Sequence, residues 1–156
     1  MGDVQLRLDY CFSIQGLLKW CQIVFSGIIL GLLLWESLRR GYFTYTYVHE
    51  GEDYTIFVAA FTIAVITLLL LLFFLNCHNG PLARCQCSKS ASVVYFLLML
   101  MWLAAAAVEV WVASRYRKLF GFESELFGRR AAAAAFCFAN MVINGFSVFY
   151  GKYNGP

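Results

Sequence analysis

Charge is scarce in this 156-residue chain: Asp, Glu, Lys and Arg make up 13% of it, against 62% hydrophobic residues. A soluble domain of this size cannot hide so much apolar surface in one core. The long apolar runs also lack alternating polarity and are about twice the length of a lipid-spanning barrel strand, which excludes that architecture. Catalytic signatures are missing: there is no His-Glu-x-x-His, Gly-rich phosphate cradle or nucleophile elbow, and the histidines, His49 and His78, stand in connections. No basic stripe supports a nucleic-acid partner. These absences predict a non-enzymatic protein with no cofactor and no nucleic-acid ligand.

What is present is four apolar runs, over residues 15–35, 54–75, 93–113 and 131–150. Each approaches the ~20 residues that a helix needs to cross ~30 Å of hydrocarbon. With no water in the bilayer, a helix satisfies its own backbone hydrogen bonds, so helices are the expected form. The fold class is therefore all-α, a four-helix transmembrane bundle, with residues 1–156 forming a single tetraspan domain. The first run is not expected to be a cleaved signal: it is long for that role, and bulky Trp35 and Glu36 follow it where small residues are needed. N-myristoylation is disfavoured as well, because Leu6 stands where Ser or Thr is wanted.

An even number of spans puts both termini and the second connection on one side. Basic residues are slightly fewer there (Arg7, Lys19, Arg84, Lys89, Lys152) than on the opposite side (Arg39, Arg40, Arg115, Arg117, Lys118, Arg129, Arg130). That count favours a cytoplasmic position for the first and third connections. Cysteine placement points the other way. Cys11, Cys77, Cys85 and Cys87 lie on the termini side with Cys21 just inside the membrane, while the first and third connections hold none. Cysteines crowded at a membrane surface suit S-acylation in a reducing compartment, which favours cytoplasmic termini.

Several residues are candidates for specific roles. Cys77, Cys85 and Cys87 are the candidate acylation sites. With His78 they make four soft ligands, but adjacent ligands and a Cys-x-Cys pair fit zinc poorly, so no metal is expected; an unmodified loop is the bland alternative. Glu109, about one turn inside the third span, is the intramembrane charge. Such carboxylates are costly and often functional, although pairing with Arg115, Arg129 or Arg130 is the favoured role here. Lys19 is expected to snorkel to the headgroups. Gly27 and Gly31 form a G-x-x-x-G step that lets another helix approach closely. Asn140 and Asn144 lie on one stripe of the fourth span with Ala133, Cys137, Ser147 and Gly151, where side-chain amides can bond across a helix interface. For both pairs, a seam within the bundle and self-association are open. Trp20, Trp35, Tyr54, Trp111, Tyr116, Tyr150 and Tyr153 stand near span ends, as an aromatic belt does.

The entry to the first span, Ser13-Ile14-Gln15-Gly16-Leu17-Leu18-Lys19-Trp20, resembles the opening of the MARVEL domain. The Phe-, Val-, Thr- and Leu-rich second span resembles that domain too, as do Ala104-Ala105-Ala106-Ala107-Val108-Glu109 and the alanine run from Ala131 to Ala135 that opens the fourth span. The resemblance is compositional, covers nearly the whole chain, and is nearest to the compact MAL, plasmolipin and chemokine-like-factor branch. It implies a four-helix bundle with cytoplasmic termini, in the plasma membrane or vesicles. The implied role is organising membrane domains, vesicle trafficking, or membrane apposition and fusion. Expected partners are membrane lipids, cholesterol-rich ones included, other transmembrane helices and further copies of the chain. Two other functions stay open: a small channel or transporter subunit using Glu109, and a junctional adhesion component acting through residues 42–53. The cysteine reading has its own test. Acyl-exchange labelling falls to background in a Cys77→Ser/Cys85→Ser/Cys87→Ser variant; undiminished labelling removes the acylation assignment.

Overall fold

The computed structural model describes residues 13–40, 51–74, 88–120 and 125–153, all of them helical apart from Ser13 and Gly51. The helices are α1 (Ile14–Arg40), α2 (Glu52–Phe74), α3 (Ser88–Phe120) and α4 (Glu125–Tyr153). All four are long and apolar enough to span a membrane, over Ile14–Trp35, Asp53–Leu71, Ser92–Arg115 and Phe127–Phe149. The described residues thus form an all-α four-helix bundle of the multi-pass membrane type. The spans fall within a few residues of those expected from hydropathy. The helices run further, because polar residues such as Arg117 and Lys118 on α3 continue helical geometry beyond the apolar core.

Local chemistry sets several of the helix ends. Ser13 caps α1: its hydroxyl accepts a hydrogen bond from the Gly16 N–H at 3.2 Å, and its carbonyl accepts one from the Leu17 N–H at 2.9 Å. Before α2 the chain turns through Gly51 at φ 104°, a left-handed conformation that glycine adopts freely. A Cβ there would also lie 2.7 Å from Val108 Cγ1, so the approach of α2 to α3 requires glycine as well. Arg117 and Lys118 occupy the last turn of α3, where cations complement the helix dipole. Glu125 opens α4 and pairs with Arg129 one turn on, acid before base, the better order for such a pair.

Each helix packs against its neighbours in sequence, and α4 closes on α1, so the order around the bundle is α1–α2–α3–α4. Neighbours are antiparallel. Gly51, just before α2, and Tyr54 on α2 meet Val108 and Met101 on α3, while on α1 and α4 Leu33 clusters with Ala133 at one end and Ile23 with Val148 at the other. The α3–α4 pairing is the most extensive, as the run of alanines on both helices allows.

The buried positions trace one stripe per helix at helical spacing: Lys19, Gln22, Ser26, Ile29 and Leu33 on α1; Thr55, Val58, Thr62, Ile66 and Leu70 on α2. Two apolar clusters fill the interior. One, towards the first and third connections, joins Ile29, Leu33, Val58, Ala59, Trp102, Ala105, Ala106, Ala133 and Cys137. The other, nearer the second connection, joins Ile66, Leu70, Tyr95 and Leu98. Large apolar side chains also cover the outside of all four helices, among them Val24, Phe57, Phe61, Leu97, Leu103, Val142 and Phe146. Trp20, Trp35, Tyr54 and Trp111 are exposed near the span ends, and the Arg115 guanidinium lies 4.2 Å over the Trp111 ring. This outer coat is what lipid tails solvate and water does not.

Close α3–α4 packing has a measurable consequence. Ala133 is fully buried and Ala135, two residues on, is exposed. Ala133→Leu overpacks the seam and costs about 1–3 kcal/mol of stability, read by unfolding in detergent, whereas Ala135→Leu stays within about 0.5 kcal/mol of the parent.

Candidate functional site

Polar side chains collect inside the bundle in two places. Nearest the first and third connections, Glu109 from α3 faces Arg130 from the first turns of α4. Arg130 Nη1 donates to Glu109 Oε2 at 3.4 Å, and the two side chains are 1% and 0% exposed. Arg130 reaches this position because it extends the inward stripe of α4 backwards, three residues before Ala133 and seven before Cys137. Of the three arginines proposed as partners, Arg130 makes this contact, Arg129 pairs with Glu125, and Arg115 stacks on Trp111. Buried pairs rarely add much net stability, since desolvation offsets the attraction. Their hold is that breaking one strands a charge in a medium that cannot solvate it.

The second place is the α1–α4 seam at mid-bundle. Asn140 Nδ2 donates to Ser26 Oγ at 3.3 Å, tying α4 to α1. Asn144 Nδ2 donates to the Asn140 backbone carbonyl at 2.8 Å, which orients its own amide along α4. Gln22 lies one turn from Ser26 on the same face of α1, and the antiparallel register sets it level with Asn144. Gln22, Ser26, Asn140 and Asn144 are each fully buried. Both Asn candidates therefore belong to a seam inside the bundle. An interhelical hydrogen bond of this kind contributes about 0.6–2 kcal/mol in a membrane.

Lys19 differs from its expected position at the headgroups. It is 4% exposed, with Nζ 5.9 Å from the centroid of the Tyr95 ring. The cause is its place on the inward stripe, three residues before Gln22, which aims the stem into the bundle before the ammonium can reach outwards. A cation over an aromatic face is favourable at this distance.

Gly27 and Gly31 lie on the opposite face of α1. Both are exposed, and a Cβ built on either would meet nothing within 4 Å. With Val24, Ile28, Leu34 and Trp35 they form an outward stripe, so the G-x-x-x-G step is not used in this bundle's own packing. The structure brings Asn140 and Asn144 together, keeps Glu109 apart with Arg130, and turns the glycines to the lipid side. Cys77, Cys85 and Cys87 lie outside the described residues. Cys21 is half-buried and Cys137 fully buried, both as free thiols, and no group of three metal-ligating side chains occurs among the described residues.

Sequence reasoning missed the inward roles of Gln22, Ser26, Thr55 and Thr62. Their signal was spacing. Lys19, Gln22 and Ser26 stand three and four apart, and Thr55 and Thr62 stand seven apart, marking one face of helices whose other faces hold few polar groups.

The Glu109–Arg130 contact makes a clear prediction for stability. Glu109→Leu or Arg130→Met alone costs about 3–5 kcal/mol, because the remaining charge stays buried, while the double variant recovers most of that loss. Unfolding midpoints of the four proteins in one detergent close this cycle; additive losses remove the pairing from the account. Compared with protein-family models, curated proteins and solved structures, the chain matches none of them.

Proposed function

We propose that the protein is a non-enzymatic, MARVEL-like membrane organiser that gathers lipids and partner helices, in membrane domains, vesicle trafficking or membrane apposition and fusion. It acts in the plasma membrane or in vesicles with both termini cytoplasmic. The observation that carries the proposal is the outward, unobstructed Gly27–Gly31 step of α1. Small residues one turn apart let two helix backbones approach closely enough for van der Waals contact to favour association over lipid solvation. A second copy of the chain brings the same pair of glycines, so the surface is self-complementary about a two-fold axis. The four spans also match bilayer thickness, which sorts such proteins among membranes of different composition. Acylation at Cys77, Cys85 and Cys87 would strengthen attachment to ordered lipid.

The channel or transporter alternative rests on Glu109. Its carboxylate lies against the Arg130 guanidinium, which supports a structural role over an ion site. Flux through proteoliposomes that vanishes in Glu109→Gln overturns the organiser proposal. Adhesion through residues 42–53 is a weaker alternative, since so short a segment offers little area for a stable interface.

The glycine face gives a clean test, because it is exposed and a Cβ at either position meets nothing within 4 Å. Leucine is also the better helix former, by up to about 1 kcal/mol per site. Gly27→Leu/Gly31→Leu keeps or raises the unfolding midpoint yet lowers energy transfer between differently tagged copies in membranes at least several-fold. Unchanged transfer contradicts the proposed association.

A further inference from the structure

We infer that the α1–α4 seam holds an internal water site, lined by Gln22, Ser26, Asn140 and Asn144 and reached from the membrane edge near Lys19. The chain's own hydrogen bonds leave polar atoms over at this seam. Asn140 and Asn144 each donate one amide N–H within the protein, to Ser26 and to the Asn140 backbone. Their Oδ1 atoms have no partner in the chain, and neither has Oε1 or Nε2 of Gln22. Reversing the Asn140 amide does not remove the excess, since one polar atom is left over in either orientation. The Asn144 amide is fixed, because only an N–H can donate to a carbonyl.

Four leftover polar atoms thus share two adjacent levels of one seam, three of them oxygen acceptors. Buried polar groups that the chain does not satisfy are the sites where structural water binds, with two to four partners per molecule. Water suits this set better than an anion, which three carbonyl oxygens repel, and Lys19 lies too near for a metal cation to be the favoured guest.

Polar side chains run from the site towards one membrane edge. Lys19, Gln22 and Ser26 form a polar column about 10 Å long at 1.5 Å per residue, starting five residues inside α1. Ser147, half-buried, continues the polar face of α4 towards the same edge. In the other direction Ile29, Leu33, Ala133 and Cys137 are 0–1% exposed and apolar, and they lie between the amides and the Glu109–Arg130 pair. The seam is thus polar towards one membrane edge and apolar beyond Ser26.

Two measurements test this. In proteoliposomes, Ser26→Cys is near-isosteric, and Ile29→Cys places a thiol on the same face one turn further in. A small methanethiosulfonate reagent needs a hydrated thiolate, and labelling is read site by site by mass spectrometry with the native cysteines kept. Ser26→Cys reacts at least tenfold faster than Ile29→Cys; equal rates overturn the water site. In case either variant misfolds, water-edited solid-state NMR uses the unmodified protein. The side-chain amides of Gln22, Asn140 and Asn144 receive water magnetisation several-fold faster than the backbone amides of Leu33 and Ala133 in the apolar layer. Equal build-up at the two sets overturns the water site.

Discussion

Every feature of this bundle depends on one constraint: hydrocarbon cannot hydrogen-bond. A soluble helix bundle turns its apolar stripe inward, but here the stripes that face inward are the ones carrying polar groups. Lys19, Gln22 and Ser26 on α1, Thr55 and Thr62 on α2, Glu109 on α3, and Arg130, Asn140 and Asn144 on α4 all point into the protein. Leucine, valine and phenylalanine coat the outside, where they cost nothing against lipid tails. Association of the helices is then driven by tight packing of small residues and by partners for the inward polar atoms. Alanines at the α3–α4 seam and the Asn140–Ser26 bond at the α1–α4 seam are the local forms of those two forces.

The same constraint separates the roles of the polar and the small residues. An amide or a carboxylate in the membrane is tolerated where another protein group faces it, so Glu109 and the Asn pair are committed to the bundle's own interior. A glycine carries no such obligation. Gly27 and Gly31 can therefore stay on the lipid face, where they shape a surface without adding a charge to it. The polar face of α1 thus serves the bundle's own interior, and its glycine face is left for the association proposed above.

The spans were legible because length and hydropathy alone specify a crossing. Residues 15–35 and Ile14–Trp35 differ by one residue at one end, since the apolar run and the span coincide on α1. The start of α4 was less legible: Arg129 and Arg130 ended the apolar run in the sequence, yet both lie within the helix, and Arg130 turns to Glu109. On α4 small and polar residues share one stripe, which marked a packing face, within the bundle or between copies. Such a face was hidden on α2, where leucine runs have no period, and only Thr55 and Thr62 marked the inner side. The direction of the glycines was not legible, because the G-x-x-x-G step fits a seam inside the bundle as well as a surface outside it.

The central claim is the inversion of α1, with polar residues inside and glycines outside. Spin labels placed singly from position 22 to position 34, in a bilayer with lipid in enough excess to keep copies apart, report it through their collision rate with dissolved oxygen, which concentrates in lipid. The account predicts a helical period with maxima at Val24, Gly27, Gly31 and Leu34 and minima at Gln22, Ser26, Ile29 and Leu33. The same period with maxima and minima exchanged would contradict it.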